Sequence, residues 1–590
     1  MEGMTTPRMH NPFRYKLSEH QILLLLSLAV GLCTGLAAVC LDFLIETIKS
    51  LLNSEFKDGE YYWQYLLLPG IGMLISLLFL KYVIRDNIGH GVTRVLTAVS
   101  RNESRIKPHN MWSSIAGSAI TIGFGGSVGA EAPIVYTGAA IGSNFGRWAG
   151  LSYRNVTILI GCGAAGAIAG IFKAPLAGVL FTMEILLFNV SMSSLLPLLL
   201  STVSAVVISY IFRGQTPVFA CDLTDFSMRN IPFYLVLGAV GGFASLYFTK
   251  MTLFLEDKLS GCSNKYLLWL GASLAIGFLI FLFPPLYGEG YESVTALLTN
   301  REVVIEDRTV LSFLMDYSWG IPLFFALIFF FKVIAMTLTN SGGGVGGTFG
   351  PTLFAGAIVG FVLARSLNIA GAGVPEQNFV LVGMAALMAG VMQAPMTAIF
   401  LIAEISGGYQ LLIPLILSST ISFATVRIFE KYSIYTKRIA QSGDLLTHDS
   451  DQAVLTLLRT KDLIRDKYPR LNINASLGDI MTVVSESTAA VFPVLDDDGR
   501  FQGILEMDDI RKHMFDKAGY DRIFVYNIMC QPLEYVFEDE KMDSVLEKFE
   551  KTDAWRLPVL SSNGKYLGFI SKSRILSAYR DELREISLQD

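Results

Sequence analysis

The chain contains repeated apolar runs close to the roughly 20 residues that an α-helix needs to cross a bilayer. They occupy residues 22–40, 65–80, 232–255, 267–283, 321–338 and 411–428. Charged residues make up only 16% of the chain, against about 25% in an average soluble domain. Because lipid cannot satisfy open backbone groups, these runs predict a polytopic all-α membrane protein.

The polar residues around the first apolar run indicate its orientation. Asp42 and Glu46 follow the run where a cleavable signal peptide would have small residues, so we expect the run to be retained. Arg8, Arg14 and Lys16 precede it, which favours a cytoplasmic N-terminus.

Charge and cysteine usage exclude some functions. The net charge of −5 comes without an aromatic-interleaved basic patch, which argues against nucleic-acid binding. The six cysteines are scattered and form no CxxC pair, so we expect free thiols and no structural metal.

Composition changes abruptly near Ile439, where long apolar runs give way to short alternating segments rich in charge. The sequence therefore predicts an N-terminal cytoplasmic segment over residues 1–20, a membrane domain over 21–440 and a cytoplasmic soluble domain over 441–590.

The membrane domain contains an internal repeat. Residues 170–185 (GIFKAPLAGVLFTMEI) match 390–405 (GVMQAPMTAIFLIAEI) at an offset of 220. Upstream of these, residues 125–133 (GGSVGAEAP) match 343–351 (GGVGGTFGP) at an offset of 218. Hydrophobic segments interrupted by Gly and Pro at corresponding places in two halves are typical of transporters with inverted repeats and broken helices.

The glycines in these segments have two interpretations. A helix that begins inside the membrane leaves its first N–H groups unpaired, and an anion can bind them because the helix dipole favours its charge. Alternatively, Gly-rich stretches merely allow helices to pack closely. Two runs that close on Pro at matched positions favour a site for a small anion.

The soluble domain also repeats, with residues 493–510 matching 558–575 at an offset of 65. The pattern of each unit predicts a strand, a polar turn with Gly, a second strand and then a helix. The spacing predicts a pair of small α/β modules.

Three motifs carry a resemblance to a known family. Residues 129–133 (GAEAP) match the pattern GxEGP except at Ala132, residues 347–351 (GTFGP) match GxFxP, and Tyr435 lies in SIYTKRI near the end of the membrane domain. The membrane domain thereby resembles the CLC family of chloride channels and anion/proton antiporters over nearly its whole length. The soluble domain resembles the paired CBS domains that some members carry.

The resemblance implies a function and an assembly. It implies chloride or other small-anion transport by a homodimer in the lipid bilayer, here the cell (inner) membrane, with a pore in each subunit and both termini cytoplasmic. Glu131 is expected to be the gate. An ionisable residue buried in a membrane costs roughly 2.5 kcal/mol or more, which favours such a role over simple complementing of a helix start. The residues expected to contact the anion are His90, Gly129, Ala130, Thr348, Phe349 and Tyr435.

Two positions depart from the family pattern. In GHGVT at residues 89–93, His90 stands where Ser is usual and Thr93 where Pro is usual, which leaves the preferred anion open. Ile185 stands where proton-coupled members have an internal relay glutamate. We therefore expect channel-like or weakly proton-coupled flux. The alternative is a chloride/proton antiporter with a non-standard path, in which Glu184 is the relay, whereas its match with Glu404 favours a structural role.

The CBS-like pair has an incomplete set of nucleotide-binding residues. Glu506 and Asp509 occupy the usual positions in the first module, and Ser571 and Arg574 occupy them in the second. Asp509 and Ser571 are the candidates for holding an adenine nucleotide. The alternative is a regulatory or dimer-stabilising role without any ligand, and no other cofactor is expected.

Two rival functions are weaker. An intramembrane zinc protease with CBS domains needs HExxH, and none of the six histidines lies in that motif. A CBS-regulated divalent-cation transporter needs clustered carboxylates and carbonyls, whereas helix starts favour anions. We therefore expect a transporter and no enzyme.

Overall fold

The computed structural model describes residues 18–54, 64–86, 88–89, 91–101, 104–186, 192–219, 221, 223–299, 311, 317–441, 458–515 and 517–588. They fall into two compact units, within residues 1–446 and within 447–590. Most of the predicted segment 1–20, and also His90, lie outside the described residues.

The regular elements of the first unit are helices throughout its described residues. Its helices are α1 Glu19–Ser54, α2 Gln64–Leu78, α3 Gly91–Arg101, α4 Ser113–Gly123, α5 Glu131–Trp148, α6 Tyr153–Phe172, α7 Pro175–Glu184, α8 Met192–Arg213, α9 Ile231–Ser260, α10 Lys265–Leu282, α11 Tyr291–Leu298, α12 Gly320–Ser341, α13 Phe349–Ile369, α14 Glu376–Met392, α15 Pro395–Ile405, α16 Leu412–Phe429 and α17 Ile434–Gln441.

In the described part of the chain, nine helices are long and apolar enough to span a membrane. Each of the six predicted apolar runs falls on one of them. The other three are Tyr153–Phe172, Ser194–Arg213 and Phe349–Ile369. The first and last of these are rich in Gly and Ala, which are less apolar than Leu, Ile or Phe. They are therefore harder to recognise as membrane-spanning from the sequence.

The two halves of the unit use glycine at equivalent helix crossings. A Cβ on Gly138 of α5 would meet the carbonyl oxygen of Gly163 in α6, and one on Gly163 would meet that of Gly138. Gly356 of α13 and Gly383 of α14 approach each other in the same way. Small residues at a crossing let helix backbones come together, so the glycines here serve close packing as well as any anion site.

A short break in the same place interrupts each half. Lys173 and Gln393, with φ of 56° and 53°, end α6 and α14 in the left-handed conformation. Pro175 and Pro395 then open α7 and α15 at the first helical position, where a missing N–H costs no hydrogen bond. The sequence repeat at offset 220 therefore corresponds to one helix–break–helix motif used twice.

The second unit contains two three-stranded sheets. Their strands are β1 Leu471–Asn472, β2 Val491–Leu495 and β3 Phe501–Glu506, then β4 Val536–Phe537, β5 Arg556–Leu560 and β6 Tyr566–Ser571. The accompanying helices are α18 Thr460–Leu463, α19 Leu477–Ser485, α20 Met507–Arg511, α21 Val525–Ile528, α22 Met542–Thr552 and α23 Lys572–Leu588. In each sheet the first strand is parallel to the second and the second antiparallel to the third.

The two modules of the second unit pack against each other symmetrically. Arg500 pairs with Lys565 as an isolated antiparallel bridge, and these residues are equivalent at the predicted offset of 65. An apolar cluster beside the bridge contains Leu495, Leu560, Tyr566 and Phe569. The predicted repeat is thus a pair of modules related by a local two-fold axis.

Candidate functional site

The two Gly-rich turns of the membrane domain meet in the interior. The Gly129 N–H donates to the Gly347 carbonyl oxygen at 3.1 Å, and the Gly347 N–H donates to the Gly129 carbonyl oxygen at 2.7 Å. These residues are equivalent at the offset of 218, so a local two-fold axis passes between them. The bridge brings together the starts of α5 and α13, which Ala130 and Thr348 immediately precede.

The carboxylate of Glu131 lies between these helix starts. Its Oε2 accepts a hydrogen bond from the Gly350 N–H at 3.1 Å, and its Oε1 accepts one from the Tyr291 hydroxyl. Glu131 is 1% exposed. The side chain therefore begins on one half of the repeat and occupies the helix start of the other half, where the dipole of α13 favours negative charge.

Three other predicted anion contacts, Thr348, Phe349 and Tyr435, lie at or next to the start of α13. Thr348 Oγ1 lies 3.3 Å from the Tyr435 hydroxyl oxygen, and both residues are buried. The ring of Phe349 packs on Phe172 and Phe181, with centroids 5.6 and 6.1 Å apart.

Gly129 and Ala130 have other hydrogen-bond partners in this structure. The Gly129 N–H is used in the bridge to Gly347, so it holds the turn. The Ala130 N–H donates to Glu289 Oε1 at 3.0 Å. A protein oxygen therefore accepts each of these two N–H groups.

Two charged residues near the helix starts were missed by sequence reasoning. Glu289 lies in the loop before α11, outside both repeats. Lys332 lies in the middle of the apolar run 321–338. A single charged residue in such a run marks a candidate functional residue, so the sequence alone could have indicated Lys332. Its ammonium is fully buried and donates to Ser127 Oγ and to the Gly288 carbonyl oxygen, each at 2.9 Å.

A cavity of about 170 Å³ opens beside this region. Its lining includes Lys49, Tyr65, Tyr287, Glu289 and Tyr291. Because the Tyr291 hydroxyl also bonds Glu131, one side chain separates the cavity from the buried carboxylate.

Glu184 and Glu404 make matching backbone contacts across the two halves, and Glu184 Oε2 also accepts a hydrogen bond from the Thr397 hydroxyl at 2.8 Å. Glu184 accepts hydrogen bonds from the N–H groups of Met396 and Thr397 at 3.0 and 2.7 Å. Glu404 accepts them from the N–H groups of Leu176 and Ala177 at 3.1 and 2.9 Å. Each carboxylate therefore caps the helix that begins the equivalent segment of the other half.

This reciprocity predicts similar effects of matched substitutions. Glu184→Ala and Glu404→Ala should each lower the free energy of unfolding by about 1 kcal/mol, because each leaves two helix N–H groups without an acceptor. Glu184→Ala should be the more harmful of the two, because it also removes the acceptor of the Thr397 hydroxyl. Thermal unfolding in detergent measures this. If Glu184 also relays protons, Glu184→Gln will change proton movement in liposomes and Glu404→Gln will not.

Ile185 follows Glu184 and is buried at 3% exposure. Its sec-butyl side chain has no titratable group and cannot hold a proton. The position expected for a relay glutamate is thus occupied by a buried apolar side chain.

In the second unit, the candidate nucleotide residues have local partners. Asp509 Oδ1 pairs with Lys512 Nζ at 2.8 Å, and Ser571 Oγ accepts a hydrogen bond from the Arg574 N–H at 3.3 Å. Nucleotide binding by Asp509 and Ser571 stays a prediction.

Among the described residues, no three His, Cys, Asp or Glu side chains come together in a way that could hold a metal ion. The interior of the membrane domain presents paired helix starts instead. Paired helix starts among helices long enough to span a bilayer are typical of integral membrane transporters.

Comparison with known proteins identifies the family. Residues 71–427 match the family described as voltage gated chloride channel, and residues 461–516 and 525–581 each match the CBS domain. The chain belongs to the voltage-gated chloride channel (CLC) family and has a C-terminal CBS pair. The predicted resemblance and fold class are confirmed.

Relatives include both channels and exchangers. The chain is 28% identical over 440 residues to the voltage-gated ClC-type chloride channel ClcB of Salmonella typhimurium, which covers 71% of this chain and 99% of that protein. It is 25% identical over 457 residues to the H(+)/Cl(-) exchange transporter ClcA of Salmonella paratyphi B, which covers 73% of this chain and 90% of that protein. The crystal structure of a slow cyanobacterial Cl-/H+ antiporter superposes with a TM-score of 0.62 at 23% identity, covering 71% of this chain and 98% of that one.

Proposed function

We propose that the chain forms a homodimer that moves chloride through a Glu131-gated pathway in each subunit, with channel-like or weakly proton-coupled flux. The observation that carries the gate is the Glu131 carboxylate bonded to the Gly350 N–H at the start of α13. A carboxylate in that position competes with an anion for the same donors. Protonation or displacement of Glu131 would then open the pathway.

The route past the gate is proposed from side-chain chemistry. Beyond Gly350, the neighbouring hydroxyls of Thr348 and Tyr435 offer donors to an anion without a competing charge. His90 would add a further donor and, when protonated, a positive charge. The homodimer, the cell membrane and the cytoplasmic termini rest on family membership.

Weak coupling is proposed from two neighbouring residues. Ile185 cannot carry a proton, and both oxygens of Glu184 accept hydrogen bonds from the start of α15. A proton crossing this region would be an unpaired buried charge costing several kcal/mol, unless water enters. The second candidate is a chloride/proton antiporter, which the exchanger relative supports.

The CBS pair, within the proposed cytoplasmic domain 441–590, is proposed to regulate transport. Every proposed anion contact precedes Ile439, so the CBS pair would act on the pathway indirectly. An adenine nucleotide at Asp509 and Ser571 is the proposed effector.

One experiment tests the proposed function and its coupling together. Purified protein is reconstituted into liposomes, and a chloride gradient is imposed at zero membrane potential while chloride and internal pH are recorded. We expect chloride to move with little or no proton movement, and no magnesium flux in a parallel assay. Steady uphill proton pumping would favour the antiporter, and absence of chloride flux would contradict the proposed function.

A further inference from the structure

Glu289 holds the start of α5 in the way that Glu131 holds the start of α13. Its Oε1 accepts the Ala130 N–H at 3.0 Å, and Ala130 immediately precedes α5. Glu131 Oε2 accepts the Gly350 N–H at 3.1 Å. The two facing helix starts therefore each carry a carboxylate oxygen where an anion would bind.

Groups of both charges surround Glu289. Lys332 is fully buried and donates to the carbonyl oxygen of Gly288, the residue before Glu289, so it tethers this loop. Nearby cations stabilise the Glu289 carboxylate and nearby carboxylates destabilise it. The charged or titratable groups that face Glu289 are Asp42 and Lys49 on α1, Glu131 on α5, Arg213 on α8, Tyr291 on α11 and Lys332 on α12.

Glu289 is also accessible from the cavity, unlike Glu131. It lines the cavity of about 170 Å³ together with Lys49. An ammonium at this wall attracts anions. An anion that enters the cavity therefore meets Lys49 and Glu289 before it can reach the Ala130 N–H.

We infer that Glu289 is a second gating carboxylate, which occupies the Ala130 N–H in place of the transported anion. The anion binds at the start of α5 only when Glu289 swings into the cavity or takes up a proton from cavity water. Access to the pathway from this side is then controlled at two successive positions, Glu289 and Glu131. This inference rests on the proposed function.

The test compares Glu289→Gln with Glu292→Gln in liposomes over pH 5 to 8. Glu292 lines the same cavity and is exposed, so it controls for the loss of one negative charge from the cavity wall. Glu289→Gln should raise chloride flux above pH 7 by about fivefold to tenfold, because a neutral amide competes less well for an N–H donor than a carboxylate does. Glu292→Gln should keep the shape of the wild-type pH profile.

Two further variants separate the possible failures. If Glu289→Gln and Glu292→Gln have the same profile while Glu131→Gln is altered, the second gate is wrong and the proposed function stands. If Glu131→Gln keeps the wild-type profile, the proposed gate itself fails. Should Glu289→Gln not purify as folded protein, Glu289→Asp draws the carboxylate back by one methylene; raised flux above pH 7 is expected, and wild-type flux would overturn the inference.

Discussion

Glu131→Gln is expected to remove most of the pH dependence of chloride flux. In the wild type, flux should rise as pH falls, because a protonated carboxyl no longer competes with the anion at the start of α13. The amide has nearly the shape of the carboxyl but does not titrate. Flux by the variant, measured as chloride efflux from liposomes, should therefore depend on pH much less steeply than wild-type flux does between pH 5 and 8, and the dependence that remains is expected to come from Glu289.

Gly350→Ala provides a matched perturbation that keeps the carboxylate. A Cβ at Gly350 would lie 3.0 Å from both Glu131 carboxylate oxygens and 3.1 Å from the Tyr291 hydroxyl, so the Glu131 side chain has to shift. Flux should rise above pH 7 while still depending on pH. A wild-type pH profile in Glu131→Gln would show that Glu131 is not the gate.

Gly163→Val is expected to have the largest effect on stability. Its side chain would enter the backbone of α5 at Gly138, and the two helices cannot separate without losing their contacts along the crossing. Overpacking lowers the free energy of unfolding by on the order of 3 kcal/mol. The cost should be at the high end here, because the backbone of α5 cannot move aside as a side chain can. We expect a large loss of folded protein on size exclusion in detergent and a lower unfolding temperature in what remains.

The equivalent crossing and an open position supply the controls. Gly383→Val should be about as harmful, because it meets Gly356 in the same way. Gly271 on α10 has no atom within 4 Å of an added Cβ, so Gly271→Val should purify like the wild type. If all three variants purify like the wild type, the helices at these two crossings can move apart without loss of the fold.

The repeats made much of the membrane fold predictable. The offsets of 218 and 220 identified the paired turns around Glu131 and the paired segments that contain Glu184 and Glu404. The structure adds that these equivalent segments contact each other. Such internal symmetry can be detected in a single sequence, because both halves have Gly and Pro at equivalent positions.

Residues outside the repeats were not predictable in the same way. Glu289, in the loop before α11, contacts Ala130, and Tyr291, the first residue of α11, contacts Glu131. These partners are 159 and 160 residues apart in sequence, and no motif marks them. The hydrogen bond between Thr348 and Tyr435 likewise depends on how α17 approaches α13. Such contacts are set by tertiary packing, which local spacing does not record.

The bridge between Gly129 and Gly347 relates two helix starts whose first residues differ. At the offset of 218, Glu131 on α5 corresponds to Phe349 on α13. One half thus contributes an ionisable group to the centre of the protein and the other an apolar ring. If Glu131 is the gate, only one of the two helix starts carries a group that can titrate. We then expect the two directions of anion movement to differ, because this single unmatched pair of side chains removes the equivalence of the two halves.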